Sequence, residues 1–83
     1  TFTTLMNGYL KSGNLSNAIK TFHTMEKYKI NPDLITFNNL IEGCCELGNI
    51  EKAKEMLEFM KKYKIQPNDI TSKILRKYNI INA

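Results

Sequence analysis

Residues 31–49 read NPDLITFNNLIEGCCELGN, and most of their landmarks occur elsewhere in the chain. Thr36-Phe37 repeats Thr1-Phe2, Gly48-Asn49 repeats Gly13-Asn14, and Pro32-Asp33 is answered by Pro67-Asn68. Laying residues 1–33 on residues 36–68 makes thirteen pairs identical, where roughly two are expected between unrelated stretches of ordinary composition. Leu15/Ile50, Met6/Ile41 and Phe22/Leu57 keep their apolar character, and Ile35-Thr36 returns once more as Ile70-Thr71. The chain is a tandem repeat with a period of 35 residues.

Each unit carries two helical patterns. Phe2, Leu5, Met6, Tyr9 and Leu10 form one apolar stripe at helical spacing, and Phe37, Leu40, Ile41, Cys44 and Cys45 repeat it. Gly13 and Gly48 are suited to end these helices in a left-handed backbone, and Asn14 and Asn49 to cap the next ones. The second stripe is Leu15, Ala18, Ile19, Phe22 and Met25, then Ile50, Ala53, Met56, Leu57 and Met60. Pro32 and Pro67 are expected to stop it, because proline disfavours helical backbone in the residue before it. Ile70, Ile74, Leu75 and Tyr78 predict one more amphipathic helix. Helices are expected near residues 1–12, 15–28, 35–46, 50–63 and 69–79. The units divide as residues 1–33, with the first residues missing, 34–68, and a partial or degenerate unit over 69–83, where Ser72 replaces Phe2 and Phe37.

Composition suits a folded object: 42% hydrophobic and 24% charged residues exclude a disordered chain. No apolar run approaches the roughly 18 residues of a membrane span. The net charge of +4 suits a polyanionic partner. With no initiator Met and no targeting segment, the chain is expected to be a piece of a longer protein.

With TFTTLMNGYLKSGNLSNAIKTFHTMEKYKINPD and ITFNNLIEGCCELGNIEKAKEMLEFMKKYKIQPN at a spacing of 35, the chain resembles the pentatricopeptide-repeat family. The resemblance implies an all-α fold, an α-solenoid of helix–turn–helix repeats wound as a right-handed superhelix. It also implies single-stranded RNA as partner, about one base per repeat. By the same resemblance, Thr3 with Asp33 selects guanine, and Asn38 with Asn68 selects cytosine with uracil tolerated. Ile35 and Ile70 wedge between bases, and Lys11 meets a phosphate where the second repeat has Glu46. All four selectors are expected to be exposed on a concave face. The chemistry agrees. A carboxylate accepts from guanine's N1–H and N2–H₂, whereas an amide both donates and accepts. Other uses stay open: Asp33 and Asn68 stand where ordinary N-caps stand, Thr3 and Asn38 could be plain surface residues, and Ile35 and Ile70 could pack between repeats.

No phosphate loop, catalytic triad or ligand cluster accompanies the repeats, so no enzyme, cofactor, metal or small-molecule substrate is expected. Cys44 and Cys45 are adjacent and predicted to be buried packing residues in a reducing compartment. His23 is expected to be exposed. The resemblance places such proteins in organellar RNA metabolism, in the mitochondrion or alternatively the plastid. A rival reading is a structural scaffold inside an organellar ribonucleoprotein assembly such as a mitochondrial ribosome, packing on proteins or folded RNA without reading bases. Glu46 and the brevity of the array favour it.

Overall fold

The computed structural model describes residues 2–80. Five helices follow one another: α1 (Phe2–Lys11), α2 (Leu15–Lys27), α3 (Leu34–Glu46), α4 (Ile50–Lys62) and α5 (Asp69–Lys77). Each expected helix is present, with every end within two residues of the expected one. None among the described residues is long and apolar enough to cross a membrane.

The starts are set by side chains that satisfy the first free backbone N–H groups. Asn14 accepts from Asn17 N at 3.2 Å, Asp33 from Thr36 N at 2.9 Å, Asn49 from Lys52 N at 3.2 Å, and Asn68 from Thr71 N at 3.1 Å. Each such cap is worth about 1 kcal/mol. The ends share one device. A left-handed residue follows the helix, and the N–H after it reaches back five residues: Asn14 to Tyr9, Ile30 to Met25, Asn49 to Cys44, Ile65 to Met60 and Ile80 to Leu75. Gly13 and Gly48 take this conformation at φ +79° and +78° without strain.

At the other ends the lysine-rich turn ahead of each proline closes the helix. Helices α2 and α4 stop at Lys27 and Lys62, well before Pro32 and Pro67. Their left-handed residues are Lys29 and Lys64, and Asn79 plays the part after α5. Proline therefore keeps the connecting strand of chain extended, and the helix has already closed.

Helices α1 and α2 form one antiparallel hairpin, α3 and α4 the next, and α1, α3 and α5 lie side by side in one layer backed by α2 and α4. The two layers meet on small residues: Ala18 and Ala53 are fully buried, so the paired backbones can approach closely. Within the first layer α1 and α3 close over Gly43, where an added Cβ would lie 2.5 Å from Leu10 Cδ2. Phe22 of α2 is the hub between repeats. Its ring meets Phe37 of α3 at 5.5 Å and Phe59 of α4 at 5.2 Å, both edge-on. Burying one such side chain contributes about 1.5–3 kcal/mol.

The repeat makes position in the array visible. Leu40 is 0% exposed because α3 lies between α1 and α5, whereas its counterpart Leu5 is 49% exposed on α1. On the second layer, Tyr63 Oη donates to Glu26 Oε2 at 2.6 Å, tying α4 to α2. Burial alone would raise the pKa of Glu26, but hydrogen bonds from Tyr63 and His23 outweigh it and hold the carboxyl below its usual range.

Candidate nucleic-acid interface

Residues four apart on a helix lie above one another, so each helix of the first layer presents a ridge. On α1 the ridge is Thr3, Asn7 and Lys11; on α3 it is Asn38, Glu42 and Glu46; on α5 it is Lys73 and Lys77. Asn7, Lys11, Glu42 and Glu46 line one groove of about 340 Å³ between α1 and α3, floored by Leu10 and Gly43. Lys11 stands exposed in the last turn of α1, facing an acidic wall across this groove.

Beside the groove, each pair of candidate base selectors is joined through a threonine of the following unit. In the first unit, Thr36 N–H and Thr36 Oγ1 both donate to Asp33 Oδ1, each at 2.9 Å. Thr3 Oγ1 lies 3.3 Å from Thr36 Oγ1. In the second, Thr71 N–H and Asn38 Nδ2 donate to Asn68 Oδ1 at 3.1 and 3.2 Å, Asn68 N–H donates to Thr71 Oγ1 at 3.3 Å, and Thr71 Oγ1 lies 3.0 Å from Asn68 Oδ1. The Thr71 hydroxyl also contacts Asn38 Oδ1. The same three registers are thus connected twice, 35 residues apart. The backbone N–H and then the hydroxyl of Thr36 hold the Asp33 carboxyl below the usual carboxylate range, so it is ionised at neutral pH.

Exposure corrects one expectation. Asp33 and Asn68 are exposed and Thr3 is half-buried, but Asn38 is only 7% exposed. Its amide is drawn inward because α5 brings Thr71 and Asn68 against α3, and both ends of the amide find partners there. Asn38 is not a freely presented groove residue, and any base it meets must approach an amide already bonded on both sides. Asp33 and Asn68 also cap α3 and α5 respectively. Ile35 and Ile70 are 64% and 55% exposed, each one residue from the threonine of its network.

Three features escaped the sequence reading. Thr36 and Thr71 are buried at 1% and 0%; their recurrence at one register is visible in the sequence as a landmark of the repeat. Lys73 stands on α5 at the register of Thr3 and Asn38, and Lys77 continues that ridge.

The remaining candidates resolve into packing. Cys44 and Cys45 are free and buried. Burial pushes the Cys44 thiol up to about 11, which suits a neutral, inert side chain. His23 is exposed and its Nδ1 meets Glu26 Oε1 at 2.9 Å. Among the described residues no group of His, Cys, Asp or Glu side chains is arranged to hold a metal ion. Lys61 and Lys62 sit on α4, where Lys62 Nζ approaches Glu26 at 3.9 Å.

Comparison with curated proteins found no match to this chain. The sequence profile of the PPR repeat family matches it twice, over residues 1–46 and 32–77. Two overlapping matches that span nearly all of the chain, on five helices stacked as repeated hairpins, leave one assignment: the chain belongs to the pentatricopeptide-repeat family, whose members generally bind RNA.

Proposed function

We propose that this chain binds single-stranded RNA and discriminates bases at two positions, the first through Thr3 and Asp33 and the second through Asn38 and Asn68. The observation that carries this reading is the duplicated network. Two selector pairs are each joined through the same threonine and stand beside an exposed isoleucine, and within this network the residues that differ between the copies are the ones that would touch a base.

The chemistry of each pair favours a different edge. Asp33 has one carboxylate oxygen engaged by Thr36 and the second open, an acceptor for the N1–H and N2–H₂ donors of guanine. Asn68 has its oxygen engaged by the Thr71 N–H and by Asn38 Nδ2, so its NH₂ is what remains to offer. That group suits an acceptor-bearing edge such as cytosine's N3 and O2, and uracil's carbonyls to a lesser degree. Ile35 and Ile70 supply apolar surfaces for the flanks of splayed bases, and Lys11 supplies a cation for a phosphate. The site of action is an organelle carrying its own RNA, the mitochondrion or alternatively the plastid, and the role there is RNA processing, stability or translation, without catalysis by this segment.

The burial of Asn38 and the acidic wall of the groove favour a second reading, a scaffold that packs within an organellar ribonucleoprotein assembly. One experiment separates the two. Ultraviolet crosslinking of the protein in its own compartment, followed by sequencing of the attached RNA, should return short single-stranded segments sharing a motif. Crosslinks confined to one folded RNA, co-purifying with an assembly, would overturn base reading in favour of the scaffold.

A further inference from the structure

We infer that the buried threonines Thr36 and Thr71 are positioning residues that set base specificity: each selector pair is completed by the threonine of the next unit, whose single hydroxyl proton decides which selector atoms remain to face a base. This inference rests on the base-reading proposal above and adds a third residue to each site.

A hydroxyl has one proton and two lone pairs. Thr36 Oγ1 directs its proton to Asp33 Oδ1 at 2.9 Å. Its contact with Thr3 Oγ1 at 3.3 Å therefore requires Thr3 to be the donor. The Thr3 hydroxyl is left with lone pairs only, and Asp33 with its second carboxylate oxygen. Both selectors then present acceptors, and the site rejects an edge that leads with an acceptor. Guanine, with adjacent N1–H and N2–H₂ donors, fits; adenine, with a bare N1, does not.

In the second unit the same device produces the opposite polarity. The Thr71 hydroxyl directs its one proton to Asn38 Oδ1, the nearer oxygen, while Thr71 N–H holds Asn68 Oδ1 inward at 3.1 Å. The amide NH₂ groups are thereby turned away from the hub. One Asn38 N–H goes to Asn68 Oδ1 at 3.2 Å, and the Asn68 NH₂ is left for the base. Identical threonines thus enforce an acceptor-only pair in one unit and a donor-presenting pair in the next. Both hubs are inaccessible to a ligand, at 1% and 0% exposure, so they act only through the selectors.

The test uses Thr36→Val, which keeps the shape and removes the hydroxyl, and Thr36→Ser, which restores it. The 83-residue chain and each variant are titrated by NMR with short single-stranded RNAs that differ at one base, and each is melted. The unaltered chain should prefer guanine to adenine at the first base by a factor of about five or more. Thr36→Val should bring that ratio close to one, because a freed Thr3 hydroxyl can donate to adenine N1. The cytosine preference at the second base should stay as it was, and Thr36→Ser should restore guanine. An unchanged guanine preference in Thr36→Val would overturn the inference while leaving base reading intact. Absence of any preference in the unaltered chain would overturn base reading itself. If Thr36→Val fails to show a melting transition, Thr71→Val decides by the cytosine-to-uracil ratio at the second base, with the guanine preference at the first base as internal control: a lost cytosine preference supports the inference and an unchanged one overturns it.

Discussion

Lys64 holds a left-handed backbone at φ +59° at the end of α4, and Lys29 does the same at φ +58° after α2. A residue with a Cβ bears about 1–2 kcal/mol of strain there, offset by the two hydrogen bonds that close the helix, Lys64 N to Lys61 O and Ile65 N to Met60 O. Lys64→Gly removes the strain and gives back part of the gain as unfolded-chain entropy. It should stabilise the fold by about 0.5–1 kcal/mol, read as a higher midpoint in thermal melting; an unchanged or lower midpoint would contradict the account. This position marks where sequence reading stopped at the residue scale. Gly13 announces its own conformation, but nothing in lysine does, so the ends of α2 and α4 were legible to within a residue while the left-handed turn that closes them was not. The burial of Asn38 was illegible for a related reason. Spacing puts it on the right ridge, but the partners that draw it inward, Asn68 and Thr71, arrive from 30 and 33 residues away.

At the scale of an element, α3 begins on a charged cap. Asp33 accepts from the Thr36 backbone and hydroxyl, which lowers its pKa from the ordinary 3.8. A group whose folded pKa is depressed contributes stability above its unfolded pKa and loses it as pH falls through the folded value. Acid unfolding should therefore include a component below about pH 4 that disappears in Asp33→Asn, since asparagine caps comparably without titrating. Stability curves for the two proteins that run parallel from pH 6 to pH 2 would refute this. The elements themselves were the most legible part of the chain. The 35-residue period placed five helices within two residues of their ends, because caps and stripes recur in register and each copy checks the other. The threonine hubs recur just as plainly. Their role was not legible, because a hydrogen bond between neighbouring units depends on how the layers stack.

At the scale of the whole molecule, the first layer sets Lys11, the acidic pair Glu42 and Glu46, and then Lys73 and Lys77 on successive ridges. A phosphate chain crossing these ridges would meet cations at both ends and repulsion between. Binding should weaken with added salt, and Lys11→Ala should flatten the plot of log affinity against log salt by up to about one unit. An unchanged slope would take Lys11 away from any phosphate.

The most direct test of the central claim, that this surface reads bases, exchanges one atom of Asn68. Its oxygen is fixed by the Thr71 N–H and by Asn38 Nδ2, so its NH₂ faces outward as a donor. Asn68→Asp keeps the capping oxygen and turns the outward group into an acceptor, which uracil N3–H can meet and cytosine N3 cannot. Stability should change little, because both residues cap well. Two single-stranded RNAs differing only in cytosine or uracil at the second base are titrated against the chain and the variant. The account predicts that preference moves from cytosine toward uracil by about 1–3 kcal/mol. Equal losses for both RNAs, or no change for either, would show that Asn68 caps α5 and reads nothing.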